Sequence, residues 1–448
     1  MGLFIRKPFE ALQAEANASG KKTLKRVLGP WSLVALGVGV IIGAGLFSIT
    51  GTVAAGYTGP AITLSFAIAA LGCCFAGLCY AEFASMIPVA GSAYTYSYAT
   101  MGELIAWIIG WDLVLEYTVA ATTVSISWSR YLVVFLEGLD IHLPQALTAC
   151  PWDGGVVNIP AFLIVVLMSL FLIRGTEGSS IFNGFIVFLK VSVILIFVIL
   201  GWKYINTDNY TPYFPANTGI LGDYGFSGIL RGAAIVFFAF LGFDAVSTAA
   251  QETKNPKRNM PIGILVSLLV CTVLYMVFAH VMTGVAHYTA FSGQQGIAPV
   301  AIAIEHMGQA DAAGIIQPDY PWLNRAIVLS ILFGYCSVIM VTLLGQSRVF
   351  LSMSHDGLLP PFFSHINEKF RTPARSNLLF MVLVGLLAAF VPARLAGEMT
   401  SIGTLMAFTL VCAAVLVVRR TMPDVPRSFK TPHVPLIPIL GIITCLCL

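Results

Sequence analysis

Apolar residues in this chain arrive in long unbroken runs, not in strict alternation and not as narrow helical stripes. A run of about 20 apolar residues is the length of an α-helix that crosses the hydrocarbon of a bilayer. The pattern predicts ten such spans, near residues 31–55, 60–83, 104–136, 157–173, 181–202, 226–250, 261–285, 322–350, 377–392 and 398–419. An eleventh apolar stretch opens near Pro435 and reaches Leu448 after about fourteen residues, too few to cross comfortably. The natural protein is therefore expected to continue past this point. The fold class read from the pattern is an all-α integral membrane protein. Its organisation is an N-terminal cytoplasmic segment (1–30), a first group of five helices (31–202), a second (226–419), a cytoplasmic loop (420–434) and the start of another helix (435–448).

Composition agrees and removes alternatives. The chain is 58% hydrophobic and only 10% charged, with a mean hydropathy of +0.87, whereas a soluble domain is roughly a quarter charged. Length alone would suggest about three soluble domains, and the lack of polar atoms overrides that reading. The net charge of +3 is too small and too scattered for a nucleic-acid partner. The nine cysteines fall mostly inside apolar runs, form no CxxC pair and have no histidine cluster beside them. They read as small packing residues, and no metal or other cofactor is expected.

Charge orients the spans. With the N-terminus in the cytoplasm, the tail and the loops assigned to the inside hold 18 of the 24 lysines and arginines. The loops assigned outside (137–156, 203–225, 286–321) hold one, Lys203. Positive charge stays on the cytoplasmic side, as the positive-inside rule requires. Residues 1–26 are polar and basic, so the first apolar segment reads as the first span, with no cleavable signal before it.

Span lengths carry a repeat. Spans three and eight are both close to 30 residues, and each follows a longer connection containing glycine and tyrosine. Spans one and six both have glycine-rich centres, GVGVIIGAGLF (37–47) and FFAFLGFDAV (237–246). Five spans plus five with matching interruptions is the pattern of an inverted repeat, in which two broken helices meet near mid-membrane and form a substrate site. Unwound backbone survives in a membrane only where protein buries it or a wet cavity lines it. Free N–H groups at a break attract a carboxylate and free carbonyls attract an ammonium, and an amino acid carries both. Gly43, Gly45 and Gly242 would permit such breaks. The competing reading is close helix packing, since Gly39 and Gly43 form GxxxG. A dinucleotide fingerprint is excluded: Ile42 stands where the third glycine belongs and no strand precedes it.

Ionisable groups inside spans cost a few kcal/mol on insertion scales and mark function or a paired interior. Asp112 and Glu116 share one face of span three, Asp244 follows the break in span six, and Lys190 sits in the middle of span five. Glu116 and Asp244 read as negative charge near a cavity. Lys190 reads as a proton-binding site, the alternative being a salt bridge with a neighbouring carboxylate. Asp112 reads as a structural partner, Glu82 as an interfacial structural acid, Arg130 as snorkelling to the outer surface, and His280 as packed.

Five segments, in order, now carry a resemblance: GVIIGAGLF (39–47), YAEFASMIPVAGSAYTYSY (80–98), GWDLVLEY (110–117), FFAFLGFDAVSTAAQETKNPKRNMPIGI (237–264) and GQSRVFLSMSHDGLLPPFF (345–363). Together they resemble the amino acid–polyamine–organocation superfamily, and within it the bacterial form of the cationic amino acid transporter family. The resemblance runs from about residue 24 to 448 and implies the LeuT-like five-plus-five fold with broken helices one and six, twelve or more spans, and secondary active amino acid transport. It implies that Ile42, Gly43, Ala44 and Gly45 bind the substrate carboxylate, and that main-chain carbonyls around Phe238, Ala239 and Leu241 hold its amino group. Phe238 matches an aromatic residue that closes over substrate, and Lys190 matches a lysine standing where sodium-coupled relatives keep a cation. Many relatives have Ser or Thr where this chain has Ala44, so a hydroxyl contact to the carboxylate is expected to be absent.

The expectation is thus a proton-coupled amino acid symporter of a bacterial inner (plasma) membrane, with amino acid, protons and lipid as its partners. The substrate stays open between cationic amino acids, which Glu116 and Asp244 would complement, and small neutral ones such as alanine. An obligate exchanger is the rival within transport. A sensor without flux and an intramembrane enzyme are rivals of other classes, the enzyme disfavoured by seven dispersed histidines and no convergent nucleophile.

Overall fold

The computed structural model describes residues 5–17, 23–43, 45–292, 299–310 and 316–447. Among these, seven helices are long and apolar enough to cross a membrane: Thr50–Met86, Glu103–Glu137, Glu177–Trp202, Gly225–Thr248, Pro256–Val285, Pro321–His355 and Gly403–Thr421. Four shorter apolar helices accompany them, Pro30–Ile41, Ile159–Ile173, Ala374–Phe390 and Leu436–Cys447.

The difference from ten expected spans has local causes. The second part of span one runs through a tight turn at Gly59 and Pro60 straight into span two, Ile62–Met86, so the two form one long stretch. Spans four and nine are helical over 15 and 17 residues, shorter than the roughly 20 that an upright crossing needs. Span seven starts before its expected position because Pro256 occupies the first helical turn, where its missing N–H costs nothing. Span ten also starts early, at Ala393. One feature departs from an all-helical chain: Gly308–Ala310 pairs antiparallel with Ile316–Pro318 as a small hairpin in the connection before span eight.

Spans three and eight are both 35 residues long, and they lie side by side. Trp128 donates its indole N–H to the Leu332 carbonyl at 3.0 Å, and Gln346 donates to the Val114 carbonyl at 3.2 Å and to the Thr118 hydroxyl. Such polar bonds hold helices together where lipid offers no hydrophobic drive. Gly345 lets the Tyr117 ring approach, since a Cβ there would lie 3.1 Å from it.

The end of the bundle that carries the N-terminal segment is closed by charge. Arg348 of span eight and Glu252, just after span six, form a buried ion pair at 2.5 Å. The amides of Val27 and Leu28 donate to the Glu252 carbonyl at 2.8 and 3.0 Å. Lys7 bridges Glu15 (2.6 Å) and Asp356 (2.5 Å), pinning the short helix Phe9–Asn17 against the bundle. Glu82 takes both Arg419 (2.9 Å) and Arg427 (3.2 Å), folding the loop after span ten onto the end of span two. That is the structural role read for this acid from sequence.

Candidate functional site

Span one stops as a regular helix at Ile41. Ile42 turns extended, with ψ of 97°, and the chain next coils as a wider π-helical stretch over Gly45–Ile49. Span six behaves differently. Its helix Gly225–Phe237 tightens into a 3-10 turn at Phe238–Phe240, opens at Leu241 with ψ of 146°, and restarts at Ala245–Thr248. Gly242 sits in the opening with φ of +102°, a left-handed conformation that side chains resist.

The two breaks touch. A Cβ on Gly45 would lie 2.4 Å from the Ala239 Cα, and one on Gly242 would lie 2.6 Å from Val40 Cγ2. Beside this contact is a small cavity of about 40 Å³, room for about three water molecules. Span one contributes Val40, Ile41, Gly43 and Gly45 to its wall, and span six Phe238, Leu241 and Gly242. Span three contributes Glu116, Tyr117, Ala120 and Val124, and span eight Val338 and Thr342. One charged side chain, Glu116, faces an otherwise mostly aliphatic and aromatic lining.

A helix that ends in mid-protein strands its last carbonyls, and buried carbonyls need donors. Lys190, fully buried in span five, donates to the Gly39 carbonyl at 2.6 Å and the Ile42 carbonyl at 2.8 Å. Two helical turns away on the same face, Asn183 donates to the Ala35 carbonyl at 3.0 Å and accepts from Ser337 of span eight. Span five therefore grips the end of the first broken helix at two points.

These features already describe a polytopic protein with a small cavity between two interrupted helices, and residues 28–448 match the family model for amino acid permeases. The chain belongs to that family. It is 46% identical over 439 residues to the branched-chain amino acid permease BcaP of Bacillus subtilis, covering 97% of this chain and 89% of that protein. It is 42% identical to the methylthioribose transporter of the same organism, covering 99% of this chain and 91% of that one. A vacuolar cationic amino acid transporter of Arabidopsis thaliana is 37% identical over 91% of this chain and 66% of its own length. The permease is thus a multi-pass membrane transporter and not an enzyme.

The structure separates the residues singled out from sequence. Gly43, Gly45, Glu116, Phe238 and Leu241 line the cavity. Ile42 and Ala239 stand just behind its wall, Ile42 through its carbonyl to Lys190 and Ala239 against Gly45. Ala44 lies outside the described residues. Asp244 is buried but does not line the cavity: its carboxylate accepts from the Tyr117 hydroxyl at 2.5 Å and faces the main-chain N–H groups of Gly242, Asp244 and Ala245. This acid stabilises the opening in span six. Glu116 instead has the Thr404 hydroxyl of span ten as its partner.

Other expectations resolve simply. Lys190 bonds main-chain carbonyls and makes no ion pair among the described residues. Asp112 likewise makes none there, and its carboxylate lies against Gly403 of span ten. Arg130 is largely exposed and meets Asp153 at 3.5 Å. His280 stacks on Tyr210, ring centroids 4.9 Å apart. Sequence reasoning missed Asn183, Tyr117 and Tyr275. Each is a polar-tipped residue inside an apolar run, a signal weaker than a charge but readable by the same logic.

Proposed function

We propose that this permease carries amino acids across a bacterial plasma membrane as a proton-coupled symporter, with its N-terminus in the cytoplasm. Spans 31–202 and 226–419 act as the two five-helix halves of an inverted repeat, the shorter helices completing the crossings by leaning on their neighbours. The supporting observation is the contact of Gly45 with Ala239 beside the cavity, which sets the two interrupted helices face to face. The N–H groups of 43–45 would receive a carboxylate, and the carbonyls around Phe238 and Ala239 an ammonium.

The lining favours a neutral aliphatic side chain, because Ala120, Val124 and Val338 present hydrocarbon and Asp244 is already engaged. The branched-chain name of one relative agrees. A cationic side chain is the second reading, favoured by Glu116 in the wall. Lys190 would bind the coupling proton while holding Gly39 and Ile42, and a potential of about 100 mV adds about 2.3 kcal/mol for each charge moved inward.

The test is uptake of labelled leucine, alanine, lysine and arginine into empty proteoliposomes under an imposed pH gradient without sodium. Accumulation of leucine or alanine that collapses with the gradient supports the proposal. Uptake only when the lumen holds amino acid makes the protein an exchanger, and binding without flux makes it a sensor. Lysine or arginine competing as well as leucine replaces the neutral substrate with a cationic one.

A further inference from the structure

A second cavity lies away from the N-terminal segment. Glu103, at the start of span three, bonds the Ile5 carbonyl of that segment, whereas this cavity sits near the other end of the same helix. Its volume is about 280 Å³, against about 40 Å³ between the interrupted helices. That is close to the lower end of the roughly 300–1,000 Å³ usual for small-molecule sites. Span three supplies Ile126, Arg130 and Val133, which recur at i, i+4 and i+7 and so share one face. Glu116, Ala120 and Val124 line the central cavity from a different face of that helix. Asp153 comes from the loop before span four, Asn158 caps span four, and Val391 ends span nine.

Asn158 decides what the cavity can hold. Its side chain is 2% exposed. Its oxygen accepts from the Ala161 N–H at 3.2 Å and from the Ser129 hydroxyl at 2.6 Å. Two donors on the oxygen fix which way the amide lies. The NH2 group is therefore the part left to the cavity, and among the described residues no acceptor takes it. At the mouth, Arg130 and Asp153 stand 3.5 Å apart as a loose, half-exposed pair. Such a pair contributes little, so a ligand that separates it loses little.

We propose that this cavity is a second binding site for an α-amino acid, apart from the central one. The carboxylate lies between the Arg130 guanidinium and the Asn158 NH2, the ammonium lies on Asp153, and an aliphatic side chain packs on Ile126, Val133 and Val391. One loose ion pair becomes two charge-assisted contacts, and the buried amide gains its acceptor. The short gap between Arg130 and Asp153 selects the ligand. An α-amino acid carries both poles on one carbon, whereas a phosphoethanolamine headgroup spreads them over a longer link. This site does not depend on transport through the central cavity.

The experiment follows alkylation of Thr148→Cys, a position lining the cavity, in the full chain in lipid nanodiscs, read at that position by mass spectrometry. L-leucine is expected to slow the reaction severalfold, saturating in the millimolar range. Adding Arg130→Gln or Asp153→Asn is expected to raise the half-protecting concentration about tenfold. Asn158→Asp keeps the cap and the Ser129 contact but turns an acceptor towards the carboxylate, and is expected to weaken protection as much. Isocaproate and isoamylamine, each leucine without one pole, are expected to protect poorly. In Gly45→Val, whose central site is obstructed, protection is expected to survive. No protection by leucine overturns the proposal, as does a thiol at 148 that never reacts, since the cavity would then be closed. Loss of protection in Gly45→Val would assign the effect to the central site. Isocaproate protecting as well as leucine would make this an anion site only, and phosphoethanolamine protecting where leucine does not would make it a seat for a lipid headgroup. Each of these three overturns it. Protection without amino acid uptake by the parent upholds this site and sinks the transport reading; uptake without protection does the reverse.

Discussion

The two breaks look alike in sequence and are built differently. In span one, what matters at Gly43 and Gly45 is the missing side chain: a Cβ would meet Val338 at 3.0 Å in one case and the Ala239 backbone at 2.4 Å in the other. In span six, Gly242 is required for its conformation, φ +102°, as well as for its clearance from Val40. The stranded groups are also served differently. Span one ends in carbonyls and is held from outside by an ammonium, Lys190. Span six reopens into N–H groups and is held from within by a carboxylate, Asp244. Each half-helix end meets the charge opposite to its own dipole. One break is a close contact, the other a bent joint.

That contrast can be broken in graded steps. The largest effect is expected from Gly45→Val, because the atom it strikes is backbone and cannot turn aside; transport should fall by about a hundredfold or more, read as initial uptake, with the protein still inserted. Next comes Lys190→Ala, which leaves the Gly39 and Ile42 carbonyls unpaired at about 1–3 kcal/mol each. It should abolish gradient-driven accumulation while counterflow survives. Full accumulation by this variant would remove Lys190 from coupling. Gly242→Ala should cost about 1–2 kcal/mol through its backbone angle, since the Val40 side chain can rotate away. A lowered Tm with transport within about tenfold of the parent would mark the joint as the more tolerant break; a loss as deep as that of Gly45→Val would erase the distinction.

The smallest effect is expected outside the membrane, at Lys7. Burial alone would lower its pKa, but the carboxylates of Glu15 and Asp356 outweigh it and the net shift is upward. A raised lysine stabilises the folded contact fully below its ordinary value near 10.5 and loses that contribution as pH rises through the folded value. Lys7→Met should therefore speed amide exchange over 9–17 at neutral pH, and the parent should show the same loosening only in strong alkali.

Much of this was legible in the chain. Uninterrupted apolar runs fix the membrane class, because water and hydrocarbon sort side chains before any packing occurs. The matched lengths of spans three and eight, the glycine clusters at 37–47 and 237–246, and the cost of an intramembrane lysine were all readable from periodicity and charge. Sequence position alone did not reveal that Asp244 is engaged by Tyr117 and by the main-chain N–H groups of its own break.

What the chain determined by itself is where the backbone would fail to stay helical, and which buried charges would demand partners. Only the tertiary structure decided who those partners are. Gly45 is needed because Ala239 arrives from nearly two hundred positions away, and Lys190 meets carbonyls of span one because spans five and one pack together. Apolar patterning is a property of single segments, whereas pairing of stranded polar groups depends on which segments become neighbours, and no local signal carries that.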